Sequence, residues 1–187
     1  MSLPLPSNED KDELLVSCRY GDLEDVQDFV SKFGHGPVNE LRDASGNSVL
    51  HMVAANGHTD VLDFLLTVVA PTLLSAQNNA GSTPSHWAAL NSHLLVLQKL
   101  VQFKTGPGVD LLDVKNTAGR SPLGEAENIG WDEGAKWMVE VMNLEDGKAE
   151  AGEDQVLDGT EEIQVEIQDA EGQIAKMKIG QQPPKDS

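Results

Sequence analysis

Five histidines and one cysteine are the side chains of this 187-residue chain best suited to acid–base, metal or nucleophilic chemistry. Their spacing points elsewhere. His51 and His86 stand 35 residues apart, and His58 and His93 repeat that interval. A hydroxyl precedes each member of the first pair by three residues, Ser48 before His51 and Thr83 before His86. That offset suits a structural hydrogen bond at a helix start, from the ring to the preceding hydroxyl and to loop backbone, rather than a general base or a metal ligand. His58 and His93 are helix-start residues, and His35 falls in a loop. Cys18 has no adjacent base and no second cysteine, which suits a small buried hydrophobe rather than a nucleophile. No Gly-x-Ser-x-Gly, His-Glu-x-x-His, Cys-x-x-Cys or phosphate-cradling Gly-rich loop occurs. Asp43 and the other carboxylates begin loops without a convergent partner. No catalytic residue, metal ligand or cofactor is expected.

The elements that position these residues form a repeat. Asp43 to Leu66 reads as a loop around Gly46, a short apolar helix, an Asn56-Gly57-His58 turn, and a second helix with Val61, Leu62, Leu65 and Leu66 on one face. Thirty-five residues later Gly81, Thr83, His86, Ala89 and His93 stand where Gly46, Ser48, His51, Ala54 and His58 stood. The Thr83 hydroxyl suits a helix cap bonded to His86, and Pro84 suits the first helical turn, where its missing donor costs nothing. Ser92 replaces the turn glycine, so a left-handed backbone there is mildly strained. A fourth copy starts at Lys115, displaced by 38 residues because of the Thr105–Gly108 loop. It decays, with Gly124 in place of the histidine and Glu125 and Glu127 in place of apolar or small residues, as suits a C-terminal cap facing water. Trp131, Trp137, Met138, Val141 and Met142 fold over its last apolar stripe. Upstream, Leu14, Leu15 and Cys18, then Leu23, Val26, Phe29 and Val30, form a trimmed first repeat that suits an N-terminal cap.

The blocks SVLHMVAANGH, STPSHWAALNSH and GRSPLGEAENIGW resemble the ankyrin-repeat family over residues 9–142. The resemblance implies an all-α repeat solenoid of about four repeats, near 9–33, 43–70, 78–104 and 116–142. A lead-in, 1–8, and an acidic tail, 143–187, flank it and are expected to be mostly disordered. It also implies a concave groove lined by loop tips and inner-helix ends, where residues free to vary contact a partner protein. Carried onto this chain, these are Arg19 and Tyr20 in the first repeat, and Ala44, Ser45, Asn47, Ala55 and Asn56 in the second. The third contributes Asn79, Ala80, Ser82, Leu90 and Asn91, and the fourth Thr117, Ala118, Arg120, Asn128 and Ile129. Trp87 lies near the middle, at a position that is normally core-facing, so packing and partner contact are both open to it. A narrower likeness rests on LHMVAANGH, HWAALN, the decayed last repeat and the acidic tail. It is to a small fungal ankyrin chaperone of ribosomal protein S-three of the small subunit.

Charge agrees with a basic client. The net charge is −18, and residues 9–142 alone carry nineteen acidic and nine basic side chains. Such a surface repels nucleic acid and anionic membranes and attracts basic proteins. The lone cysteine and the absence of an apolar signal core near Met1 suggest a reducing compartment, the cytosol, with passage into the nucleus beside a client. Residues 143–172 hold eleven acidic side chains and one lysine. Within and just after that stretch, Ile163, Val165 and Ile167, then Ala175, Met177 and Ile179, alternate with polar residues as in a β-hairpin over 162–179 that is marginal alone. The expected function is that of a monomeric escort chaperone covering a basic ribosomal protein. Two other readings stand beside it: a regulatory inhibitor that grips an enzyme or transcription factor, and an acidic histone-type chaperone.

Overall fold

In a computed structural model of the chain, residues 3–151, 164–168 and 174–178 are described. Nine α-helices lie among those residues, each beginning in the first unit. They are α1 (Asn8–Tyr20), α2 (Leu23–Phe33), α3 (His35–Glu40), α4 (Val49–Asn56), α5 (Thr59–Val68), α6 (Pro84–Leu90), α7 (Leu94–Val101), α8 (Pro122–Ile129) and α9 (Asp132–Ala151). Short 3-10 turns, Pro71–Ser75 and Gly108–Leu112, precede the third and fourth loops.

The helices pair as α1/α2, α4/α5 and α6/α7, with α9 following α8, and the repeats stack. An inner row packs α1 on α4, α4 on α6 and α6 on α8; an outer row packs α2 on α5 and α5 on α7. Small residues permit the inner row. Cys18, Ala54 and Ala89 hold equivalent places and are fully buried, so the inner helices approach closely. Leu14 and Leu50 sit one turn earlier, and Val26, Val61, Leu62, Val96 and Leu97 fill the space between rows. Each repeat presents an apolar face that only its neighbour can cover, so the core runs along the stack. The last repeat has no successor, and Met138, fully buried, with Trp131, Trp137, Val141 and Met142 half-buried, closes its open side.

Three boundaries differ from the expectation. Ser7 caps α1 through a box with Asp10, its amide and hydroxyl 2.8 and 2.6 Å from the Asp10 carboxylate, so the lead-in joins the first helix at Asn8. After α2, His35 does not fall in a loop but begins α3, which tolerates Pro37 in its first turn. At the other end α9 runs to Ala151 rather than stopping near 142, because Glu, Lys and Ala in 144–151 are strong helix formers that outweigh Gly147. In the second unit, β1 (Gln164–Gln168) pairs antiparallel with β2 (Ile174–Lys178), setting Glu166 opposite Lys176 and Val165 opposite Met177. The remainder of the tail expected to be disordered, 152–163, 169–173 and 179–187, lies outside the described residues, as do Ile163 and Ile179.

Candidate protein-interaction groove

The loops that precede α4, α6 and α8 are built the same way. A carboxylate or amide oxygen at the loop start accepts two backbone N–H groups: Asp43 from Ser45 and Asn47, each at 2.8 Å; Asn78 from Ala80 and Ser82, each at 3.0 Å. Asn116 does the same for Ala118 and Arg120. These turns satisfy the loop backbone locally, so the loop projects as a stiff finger. Successive fingers are tied: the Asn79 N–H donates to the Ser45 carbonyl at 2.9 Å and the Thr117 N–H to the Ala80 carbonyl at 3.0 Å. Burial pushes the Asp43 carboxyl up, but the Asn47 and Ser45 donors outweigh it and hold the group below its ordinary value.

Behind the fingers, the helix starts are locked by imidazole. His51 Nδ1 accepts from the Ser48 N–H at 3.1 Å and lies 2.9 Å from its hydroxyl, while Nε2 lies 2.9 Å from the Ser82 carbonyl oxygen. A backbone N–H can only donate and a carbonyl can only accept, so Nε2 carries the proton and Nδ1 does not. His86 repeats the arrangement with Thr83 and the Arg120 carbonyl. Both rings are buried, and burial lowers both pKa values, that of His51 to about 4. Each ring therefore joins its own helix start to the next repeat's finger, not merely to its own loop. Neither lies in a metal-ligand cluster among the described residues. Cys18 is fully buried, and burial pushes its thiol up to about 12.

The fingers and inner helices bound a groove. Ala44, Ser45, Asn79 and Ala80, with the half-buried Trp87, line a depression of about 480 Å³ at its centre. The Trp87 ring meets the His51 ring edge-on with centroids 6.1 Å apart, so this side chain both packs and faces the groove. Of the other residues assigned to the groove, Arg19, Tyr20, Ala44, Ser45, Asn56, Asn79, Ala80, Leu90, Asn91, Thr117, Ala118, Arg120, Asn128 and Ile129 are exposed, and Ala55 is half-buried. Asn47 and Ser82 are buried, at 5% and 6% exposed, although Asn47 still edges the depression. Asn47 is spent bridging Asp43 and Asn78, at 2.9 and 2.8 Å, and Ser82 lends its carbonyl to His51. Both are framework, because the finger needs every polar group at its base.

Three floor residues escaped sequence reasoning. Val16, Met52, Trp87 and Glu125 each stand five residues before the turn residue of their repeat, Gly21, Gly57, Ser92 and Gly130, and so form one row along the inner helices. Val16 is 49% exposed, and Tyr20, one turn on, is 68% exposed. The signal was available in that offset, but Val16 and Met52 look like ordinary core residues until the helix face is known. Glu125 also overturns the picture of charge left harmlessly in water. It is 2% exposed; Asn116 donates to its Oε1 at 2.6 Å and Arg120 Nε lies 2.9 Å from its Oε2. Burial would raise this carboxyl, yet Arg120 and Asn116 together hold it below its ordinary value.

Comparison with known proteins follows the same outline. The family model for ankyrin repeats, in three copies, matches residues 14–113. An ankyrin repeat-containing protein of Schizosaccharomyces pombe is 36% identical over 120 residues, 63% of this chain and 76% of the relative. The ankyrin repeat-containing protein YAR1 of Saccharomyces cerevisiae is 27% identical over 168 residues, 84% of this chain and 80% of the relative. Among solved structures, a chain in the crystal structure of the yeast ribosomal protein Rps3 in complex with its chaperone Yar1 superposes with a TM-score of 0.67. It is 27% identical, and the match covers 73% of this chain and 95% of that one. With its finger loops, paired helices and imidazole locks, the chain belongs to the ankyrin-repeat family.

Proposed function

We propose that this protein is an escort chaperone of the small-subunit ribosomal protein Rps3, covering basic segments of that client before ribosome assembly. The observation that carries the reading is similarity to YAR1 along 84% of this chain, joined to fold similarity with a chain of the Yar1–Rps3 complex. The groove supports it chemically. Its floor is apolar at Val16, Met52 and Trp87, its middle walls at Ala44, Ser45, Asn79 and Ala80 are small and neutral, and the protein around it carries a large excess of carboxylates. An amphipathic basic helix matches that pattern. Apolar anchors enter the groove and supply affinity, while the surrounding charge steers encounter and raises the association rate. Basic segments newly made would otherwise bind RNA indiscriminately or aggregate. No catalytic step belongs to this reading. It places the protein in the cytosol, with passage into the nucleus beside the client.

The test is co-purification with Rps3 of the same organism, and protection of Rps3 from aggregation at low and physiological salt. A stoichiometric complex that keeps Rps3 soluble is expected; failure of both overturns the reading. Removing residues 152–187, which spares α9, should slow association and weaken its salt dependence. If those residues alone bind as well as the whole protein, the protein is an acidic histone-type chaperone instead. If the stoichiometric partner from native cells is an enzyme or transcription factor, it is a regulatory inhibitor.

A further inference from the structure

The floor row changes character at its fourth member. Val16, Met52 and Trp87 are apolar, whereas Glu125 brings a carboxylate that is 98% shielded from water by its 2% exposure. Oε1 is held by Asn116 at 2.6 Å. Oε2 has no well-aligned hydrogen bond and is met only by Arg120 Nε at 2.9 Å. Arg120 is 44% exposed and approaches Oε2 through Nε, without a well-aligned hydrogen bond to it among the described residues. Beside the pair, Gly124 stands where His51 and His86 carry their rings, and a Cβ there would come no closer than 3.6 Å to any neighbour. Stability alone does not account for the pair, since an apolar residue of similar volume usually serves a core as well as a buried ion pair.

We propose that Arg120–Glu125 is an exchange site for a partner's guanidinium. Arg120 keeps the carboxylate paired in the free protein, and an arginine of the bound client displaces it. The inference rests on the proposed basic client only for the source of that arginine. A guanidinium reaching the carboxylate past Gly124, where no ring or Cβ stands, can present two parallel N–H groups to it, where Arg120 approaches through Nε. That difference is the differential affinity an exchange requires. The released Arg120 is already half in water. The site would fix the direction in which a client helix lies, because its arginine must fall at the fourth repeat and its apolar anchors over the first three.

Chemical rescue tests the site without any client. Arg120→Ala leaves Glu125 unpaired and should lower the thermal midpoint. Millimolar methylguanidinium should then raise that midpoint by several degrees over sodium chloride of equal ionic strength, with no such gain in wild type or in Arg120→Ala/Glu125→Gln. Arg120→Gln serves the same comparison if the alanine variant does not fold. With Rps3, Arg120→Ala or Arg120→Gln should bind about tenfold tighter than wild type and Glu125→Gln about tenfold weaker, a change of about 1.4 kcal/mol each way. No methylguanidinium rescue, or rescue without tighter binding, overturns the exchange and leaves the pair as a fastening of the last repeat. If wild-type protein does not bind Rps3, the client reading fails, and the rescue experiment still decides whether Glu125 receives an external guanidinium.

Discussion

His51 Nε2 donates to the carbonyl of Ser82, 31 residues along the chain, at 2.9 Å, and through it the start of α4 is bound to the finger that leads into α6. Nε2 keeps its hydrogen in either charge state, but the bond that Nδ1 accepts from the Ser48 N–H exists only while the ring is neutral. Protonating Nδ1 would set a donor against the Ser48 N–H.

A pH dependence with a definite sign follows. The folded pKa of His51 is about 4, lowered chiefly by burial, against about 6.5 unfolded. Between those values the unfolded chain binds more protons than the folded one. Stability is therefore fully present above about pH 6.5, falls as pH drops toward about 4, and levels off below. The integrated loss for His51 is about 3 kcal/mol, and His86 adds to it in the same direction. Carboxylates held below their ordinary values, Asp43 and Glu125, add their own loss as pH falls below their unfolded values, about 4 to 4.5, overlapping the lower end of the histidine window. Urea unfolding across this range should show the slope. His51→Gln should lower stability at neutral pH yet flatten it; an unchanged slope would refute the assignment.

Gly21 and Gly57 should tolerate alanine worse than Gly130. All three have positive φ, and any side chain there costs about 1–2 kcal/mol. At Gly57 an added Cβ would also lie 2.7 Å from His93 Nδ1, and at Gly21 2.6 Å from His58 Nδ1. Those rings cannot withdraw freely, because Nε2 of each is bonded to the previous repeat, at Ala55 and Arg19. Gly130 faces open space. Gly57→Ala should cost at least twice what Gly130→Ala costs in denaturant titrations. Ser92 fits the same logic: at φ 59 it bears a side chain where the next repeat offers Trp131 in place of a histidine.

Ser85 occupies the place of Leu50, fully buried at the start of α6, and its hydroxyl has no partner. An unsatisfied buried hydroxyl costs about 1–3 kcal/mol. Ser85→Ala should raise stability by about 1 kcal/mol, read as a higher urea midpoint at constant slope.

Tyr20 separates binding from folding. It is 68% exposed and, with Val16, carries the apolar row to the first repeat. Tyr20→Ala should change stability by less than about 0.5 kcal/mol. If the first repeat contacts the client, it should weaken Rps3 binding by about 2 kcal/mol, the size of an aromatic hot spot. Calorimetric titration gives both affinity and heat, and unchanged affinity would remove the first repeat from the interface.

The sequence by itself determined the repeat. Periodic Gly46 and Gly81, the hydroxyl three residues before His51 and His86, and the small residues at Ala54 and Ala89 each obey local rules of turn, cap and close packing, so their spacing was enough to place loops, inner helices and outer helices. Tertiary structure decided which polar residues work for the fold and which face a partner. Asn47 and Ser82 vary like contact residues along the chain, yet hydrogen bonds to Asn78 and His51 of other repeats draw them inside. Glu125 looked like a charge left to water until Arg120 and Asn116, five and nine residues before it, closed over it. Burial of a polar side chain depends on partners brought close only by folding, and no local pattern records them.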